Sequence, residues 1–173
     1  YLAQAGGLFW KLESSNPATE ELLSAIQDMS KRKIGALILI QRMMEIKNLL
    51  EVGTEVDAQV QASLIKTIFN PGTPLHDGAM VIYKGRIRYA GAIISLSDQV
   101  TQLKRHGTRH RAAVSATEDS DVIALVVSEE TGDISAAYHG SLFRMNDIEE
   151  VRTFMNRDEK ESEKRSQSQA MNT

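Results

Sequence analysis

The sequence predicts an α/β fold: a mixed central β-sheet flanked by helices, with a short N-terminal helical segment ahead of it. Three observations carry this. Short β-branched apolar runs, such as Ile34 to Ile40 and Val122 to Ser128, are the length of buried strands. Amphipathic stretches with helix-start residues fall between them. The connections include a tight hairpin turn as well as longer crossovers, so antiparallel and parallel pairing should coexist.

Taken in order, Leu8, Phe9, Trp10 and Leu12 form an apolar patch before the break Ser14-Ser15-Asn16-Pro17, the mark of an accessory helix or arm. Asn16 is placed to cap a helix over Pro17 to Ser30, with proline at its first position and Leu22, Leu23, Ile26 and Met29 along one face. Ile34 to Ile40 reads as a buried strand. Asp57 is expected to cap a second helix in which Val60, Leu64 and Ile68 recur, ended by Asn70-Pro71-Gly72. Ala79 to Tyr83, Lys84-Gly85 and Arg86 to Ile94 read as a hairpin. Val122 to Ser128 and Ile134 to Gly140 are strands joined by the turn Glu129 to Asp133. Asn146 with Glu149 gives a capping box for a last helix through about Met155. The chain then divides into an N-terminal segment 1–16, a folded domain 17–156 and a polar tail 157–173.

Composition narrows the function. The 173 residues, 42% hydrophobic, suffice for one core without disulfides or structural metal. The absence of cysteine excludes thiol catalysis and cysteine zinc sites. A net charge of −3 gives no global pull toward nucleic acid or an anionic membrane, so any phosphate affinity must be local. No apolar run approaches the roughly 20 residues that cross a bilayer, and the start has no signal-peptide pattern. A cytoplasmic protein with no membrane partner is the expectation. The missing initiator methionine agrees with a trimmed chain or a part of something longer.

Three loop clusters do not look like packing. In Asn70 to Met80, four prolines and glycines shape an irregular turn carrying His76 and Asp77 just before a buried strand. Asp-Gly alone is ordinary turn chemistry; an adjacent imidazole makes a metal or proton-transfer pair. In Gly107 to Ala113, Thr108 is expected as the N-cap of a helix over Arg109 to about Ala116. That would bring free amides and the positive dipole end beside two guanidiniums, at a glycine that lets a ligand approach. A solvated basic helix start is the plainer alternative. In the third, Ser128, Glu129 and Glu130 close an apolar strand, where ligands of open α/β sheets bind. Together they supply the carboxylates, histidine, arginines and hydroxyls of a metal–nucleotide site.

Thr73 to Met80, Gly107 to Val114 and Val127 to Gly132, in this order, resemble the catalytic domain of bacterial and archaeal diadenylate cyclases, whose hallmarks are a DGA and an RHR motif. Both are intact, as Asp77-Gly78-Ala79 and Arg109-His110-Arg111, and the likeness runs from about Ala18 to Met155. The resemblance implies that two ATP molecules condense to cyclic di-AMP, releasing two pyrophosphates, with a divalent metal such as Mn²⁺, Mg²⁺ or Co²⁺. Each domain would hold one ATP, and two domains would meet face to face, in a dimer of facing sites or a hexamer. Carried onto this chain, Asp77 activates the 3′-hydroxyl or holds the metal near it, with His76 and Glu129 as further metal contacts. Gly78 and Ala79 line the base pocket, and Ile94 to Leu96 form its apolar wall. Gly107, Thr108, Arg109 and Ser128 grip the phosphates, while His110 and Arg111 support the site or the subunit contact. With no transmembrane helices and no DNA-binding region, the chain looks most like the soluble spore type, in which the N-terminal segment is implied to restrain activity.

Two other readings remain: a catalytically silent nucleotide or cyclic-dinucleotide sensor on the same fold, and nucleic-acid binding through Arg105, Arg109 and Arg111. The second is disfavoured by a short patch, few aromatics and negative charge.

Overall fold

A computed structural model describes residues 16–100 and 105–156; the N-terminal apolar patch and the polar tail lie outside the described residues. Helix α1 spans Pro17–Arg32. Asn16 Oδ1 accepts from the Ala18 amide at 3.0 Å, and Lys33 ends the helix in the left-handed conformation, so the expected start holds and the end falls two residues later. Strand β1 (Ala36–Gln41) follows, then a 3-10 turn at Lys47–Leu49, β2 (Leu50–Gln59), α2 (Ala62–Phe69), β3 (Ala79–Tyr83), β4 (Arg86–Ile94), α3 (Thr108–Glu118), β5 (Ile123–Val127), β6 (Ile134–Tyr138) and β7 (Ser141–Met145). The last helix, α4, occupies 148–156.

The strands form one mixed sheet in the order β2-β4-β3-β1-β5-β6-β7, in which β1 and β3 run parallel and the other neighbours antiparallel. Lys84 and Gly85, both at positive φ, make the β3–β4 turn as expected. Strand side chains alternate between two buried faces. Ile38, Ile40, Met80, Ile82 and Leu125 pack with α1, α2 and α4. Leu37, Leu39, Ala79, Val81, Ala124 and Val126 face α3. No helix among the described residues is long and apolar enough to cross a membrane.

Three local expectations are corrected. Asp57 does not cap α2. It lies in β2 at φ 49°, at a register break in the pairing with β4, where its carboxylate accepts from Arg86 Nε (3.0 Å) and Arg88 Nη1 (3.2 Å). Helix α2 starts instead at Ala62, whose amide donates to Glu21 Oε2 of α1 at 2.7 Å, so Val60 is buried ahead of the helix. The capping box of α4 sits one residue later than expected: the Glu150 amide donates to Asp147 Oδ1 (2.8 Å), and the Asn146 amide to Glu150 Oε2 (2.7 Å). Glu149 pairs with Arg152 instead, at 3.0 Å. The edge strands β2 and β7 have no counterpart in the apolar-run pattern, because both expose most of their residues.

Candidate active site

The three motif loops converge on one cavity of about 940 Å³. They reach it because the pairings Leu37↔Ala79, Ala79↔Ala92 and Ala36↔Val127 align the amino ends of β1 and β3 with the carboxyl ends of β4 and β5. The strand-end rule applied to Ser128 and Glu129 therefore holds for antiparallel β5, while the parallel pair presents its amino ends. His76, Asp77, Gly78 and Ala79 line the cavity from the loop into β3, and Ile94 and Leu96 from the end of β4. Gly107, Thr108, Arg109 and His110 line it from the start of α3, and Ser128 and Glu129 from the turn after β5. Arg111 is not on the wall. Leu37, Ile93, Arg105, His106 and Ala112 also line the cavity. Sequence spacing carried no sign of their role in the wall, since register and helix docking bring them there.

The DGA loop is shaped by close approach. Gly78 sits at φ 133°, and a Cβ there would lie 2.7 Å from the Gly91 carbonyl carbon and 3.0 Å from the Ala92 amide nitrogen. Glycine at this position thus serves the β3–β4 contact as well as the cavity wall. Asp77 beside it is exposed and has no hydrogen bond or ion pair among the described residues. His76 Nδ1 lies 2.6 Å from the Thr73 carbonyl, which can only accept. Nδ1 therefore carries a proton there, and Nε2 is left without a protein partner among the described residues.

The RHR helix is capped by Gly107 rather than Thr108, which is its first helical residue. With no side-chain cap, and with the first helical bond running from the Arg111 amide to the Gly107 carbonyl, the amides ahead of it are open to an anion. Arg109 is only 19% exposed in its side chain and donates from Nη1 to Glu129 Oε2 at 3.2 Å; its buried Nε has no hydrogen-bond partner. A largely buried guanidinium with an unused donor is a demand for an acceptor. Burial pulls the His110 imidazole below the ordinary histidine range; the charges of His106 and Arg109 add to this and Asp133 opposes it.

The acidic turn is braced from two sides. Ser128 Oγ accepts from the amides of Glu130 and Thr131, each at 3.3 Å, leaving its own proton free to donate. Ser30 Oγ on α1 donates to the Gly132 carbonyl at 2.6 Å. His76, Asp77 and Glu129 are not gathered into a metal site: no cluster of three histidine or carboxylate side chains able to hold an ion occurs among the described residues. Glu129 is turned to Arg109 instead. The donor set still fits Mg²⁺ or Mn²⁺ shared with a triphosphate, because such ions take one or two carboxylates and complete their shell with phosphate oxygens and water. Asp77 offers that free carboxylate.

The family described as DisA bacterial checkpoint controller nucleotide-binding, the DAC domain, matches residues 23–142. The diadenylate cyclase CdaS of Bacillus thuringiensis is 42% identical over 134 residues, covering 76% of this chain and 67% of that protein. The cyclic di-AMP synthase CdaA of Bacillus subtilis is 41% identical over 132 residues, 76% of this chain and 48% of that one. A cysteine double mutant of DacA from Staphylococcus aureus superimposes with a TM-score of 0.75 at 39% identity, covering 80% of this chain and 92% of that structure. The chain thus spans from about half to two thirds of the length of these curated relatives.

Proposed function

Since the chain belongs to the DAC family of nucleotide-binding domains, we propose that it is a diadenylate cyclase, condensing two ATP into cyclic di-AMP and two pyrophosphates where two copies face one another. Residues 17–156 are the catalytic unit. The observation that carries this reading is the largely buried Arg109 fork at the open start of α3, with its Nε unpartnered, in the same cavity as the free carboxylate of Asp77.

In-line phosphoryl transfer asks for charge neutralisation and alignment more than for a covalent catalyst. The α3 amides, Thr108 and Arg109 bind the phosphates, and the Ser128 hydroxyl donates to them. Leu96, Ile94 and Ala79 supply the apolar wall for the base. Asp77, exposed at the rim, holds or removes the proton of the 3′-hydroxyl that attacks the other ATP's α-phosphate. Asp77, with His76 beside it and the phosphates themselves, would hold a divalent ion, which would supply charge neutralisation to the leaving pyrophosphate. His110, neutral at pH 7, and Arg111 support the start of α3. One copy holds half of a reaction centre, so facing copies, as a dimer or within a hexamer, are the active form. The segment ahead of Pro17 restrains that pairing.

Incubation with ATP and Mn²⁺ across a range of protein concentrations, followed by mass spectrometry, tests this. Cyclic di-AMP should form, with specific activity falling on dilution, and Asp77→Asn should form almost none. ATP binding with no product at any concentration would make the chain a silent sensor.

A further inference from the structure

Gly35 lies buried in the short link between α1 and β1, and φ there is not in the left-handed region, unlike Gly78 or Gly132. Backbone freedom is therefore not what the position asks of glycine. Space is: a Cβ at residue 35 would stand 2.7 Å from Arg109 Nη1, 2.9 Å from Arg109 Cζ and 3.1 Å from Glu129 Cβ. The Nη1 that would be struck is the same atom that donates to Glu129. Nor can the link retreat, because the Ile34 amide is tied to the Met29 carbonyl at 2.9 Å and Ala36 is in ladder register with Val127.

We infer that Gly35 is a positioning residue: its missing side chain is the seat that lets the Arg109 fork lie deep against the sheet edge, locked by Glu129, at the depth where it meets a phosphate. At its two closest contacts a methyl here meets the far end of a flexible side chain, and the third, Glu129 Cβ, need give by only a few tenths of an ångström, so the guanidinium is displaced and the fold is spared. The role rests on the reading of Arg109 as a phosphate ligand.

The test compares wild type, Gly35→Ala, Arg109→Ala and the double variant for thermal unfolding, ATP affinity by calorimetry, and steady-state cyclic di-AMP formation. Gly35→Ala should melt with wild type yet lose about 10- to 100-fold in kcat/KM, the scale of an ångström-sized misplacement. The double variant should bind ATP no more weakly than Arg109→Ala alone, since the fork that the methyl strikes hardest is then gone. Wild-type affinity and turnover in Gly35→Ala, or losses that multiply in the double variant, overturn the inference. Should Gly35→Ala fail to fold, the double variant folds if the fork is what the methyl strikes and stays unfolded if it is not. A wild-type chain that binds ATP without making product sinks the cyclase reading alone, and the seat is then read from the affinities.

Discussion

The two faces of the sheet are built from different materials. One, against α1, α2 and α4, is filled by Leu22, Ile26, Met29, Phe69, Ile38 and Ile82, all nearly inaccessible. The other, against α3 and the 3-10 turn that follows β1, is rich in alanine: Ala79, Ala92, Ala112, Ala113, Ala116 and Ala124. Large interlocking side chains give the first face most of the apolar burial, at about 25 cal/mol per Å² removed from water. Small ones let α3 lie close to the strands, and the space at their ends becomes the cavity wall that Ala79, Ala92 and Ala112 share. Stability and chemistry are thus assigned to opposite sides of one sheet.

The separation can be broken from either side. Asp77→Asn, on the cavity side, should lower turnover about 10²- to 10⁴-fold, the range for a positioned acid or base, and leave the melting temperature unchanged because the carboxylate has no partner to lose. A matching fall in melting temperature would show that the motif loop also carries stability. Phe69→Ala, on the opposite face, should cost about 3–5 kcal/mol in denaturant unfolding, yet leave turnover per folded molecule near wild type. Ala113→Leu, on the fully buried side of α3, should cost about 1–3 kcal/mol by overpacking and also weaken ATP binding, because it lifts the helix that carries Arg109. Equal affinity in that variant would separate α3 docking from the site.

The smallest effect is one of pH. Because burial holds the His110 pKa below its unfolded value, the unfolded chain takes up a proton below about pH 6.5 that the folded chain refuses, and stability falls as pH drops. Unfolding free energies of His110→Gln should fall less between pH 7 and pH 5 than those of wild type. Parallel curves would remove His110 from the acid response.

Local chemistry was enough to read much of this molecule. Asn16 with Pro17 starts α1, Lys84-Gly85 turns the hairpin, and the three motif loops stand out as charged and hydroxyl residues set against apolar runs. Each of those signals acts within a few residues, so the chain displays it before it folds. The helix starts of α2, α3 and α4 were legible only to within a few residues. Asp57 looked like a cap and became a bulge residue held by Arg86 and Arg88, because pairing with β4 outweighed a local propensity.

What tertiary structure alone decided is whatever depends on partners far along the chain. Glu21 caps a helix that begins at Ala62, the edge strands β2 and β7 exist because β4 and β6 offer them open hydrogen bonds, and Glu129 pairs with the Arg109 fork. Gly35 shows the same limit: its meaning lies in a guanidinium that the sequence places 74 residues away and the fold brings to 2.7 Å of where a methyl would be. Composition and spacing name the groups that a site requires, whereas their depth, pairing and open valences are set by packing, which no short stretch of sequence contains.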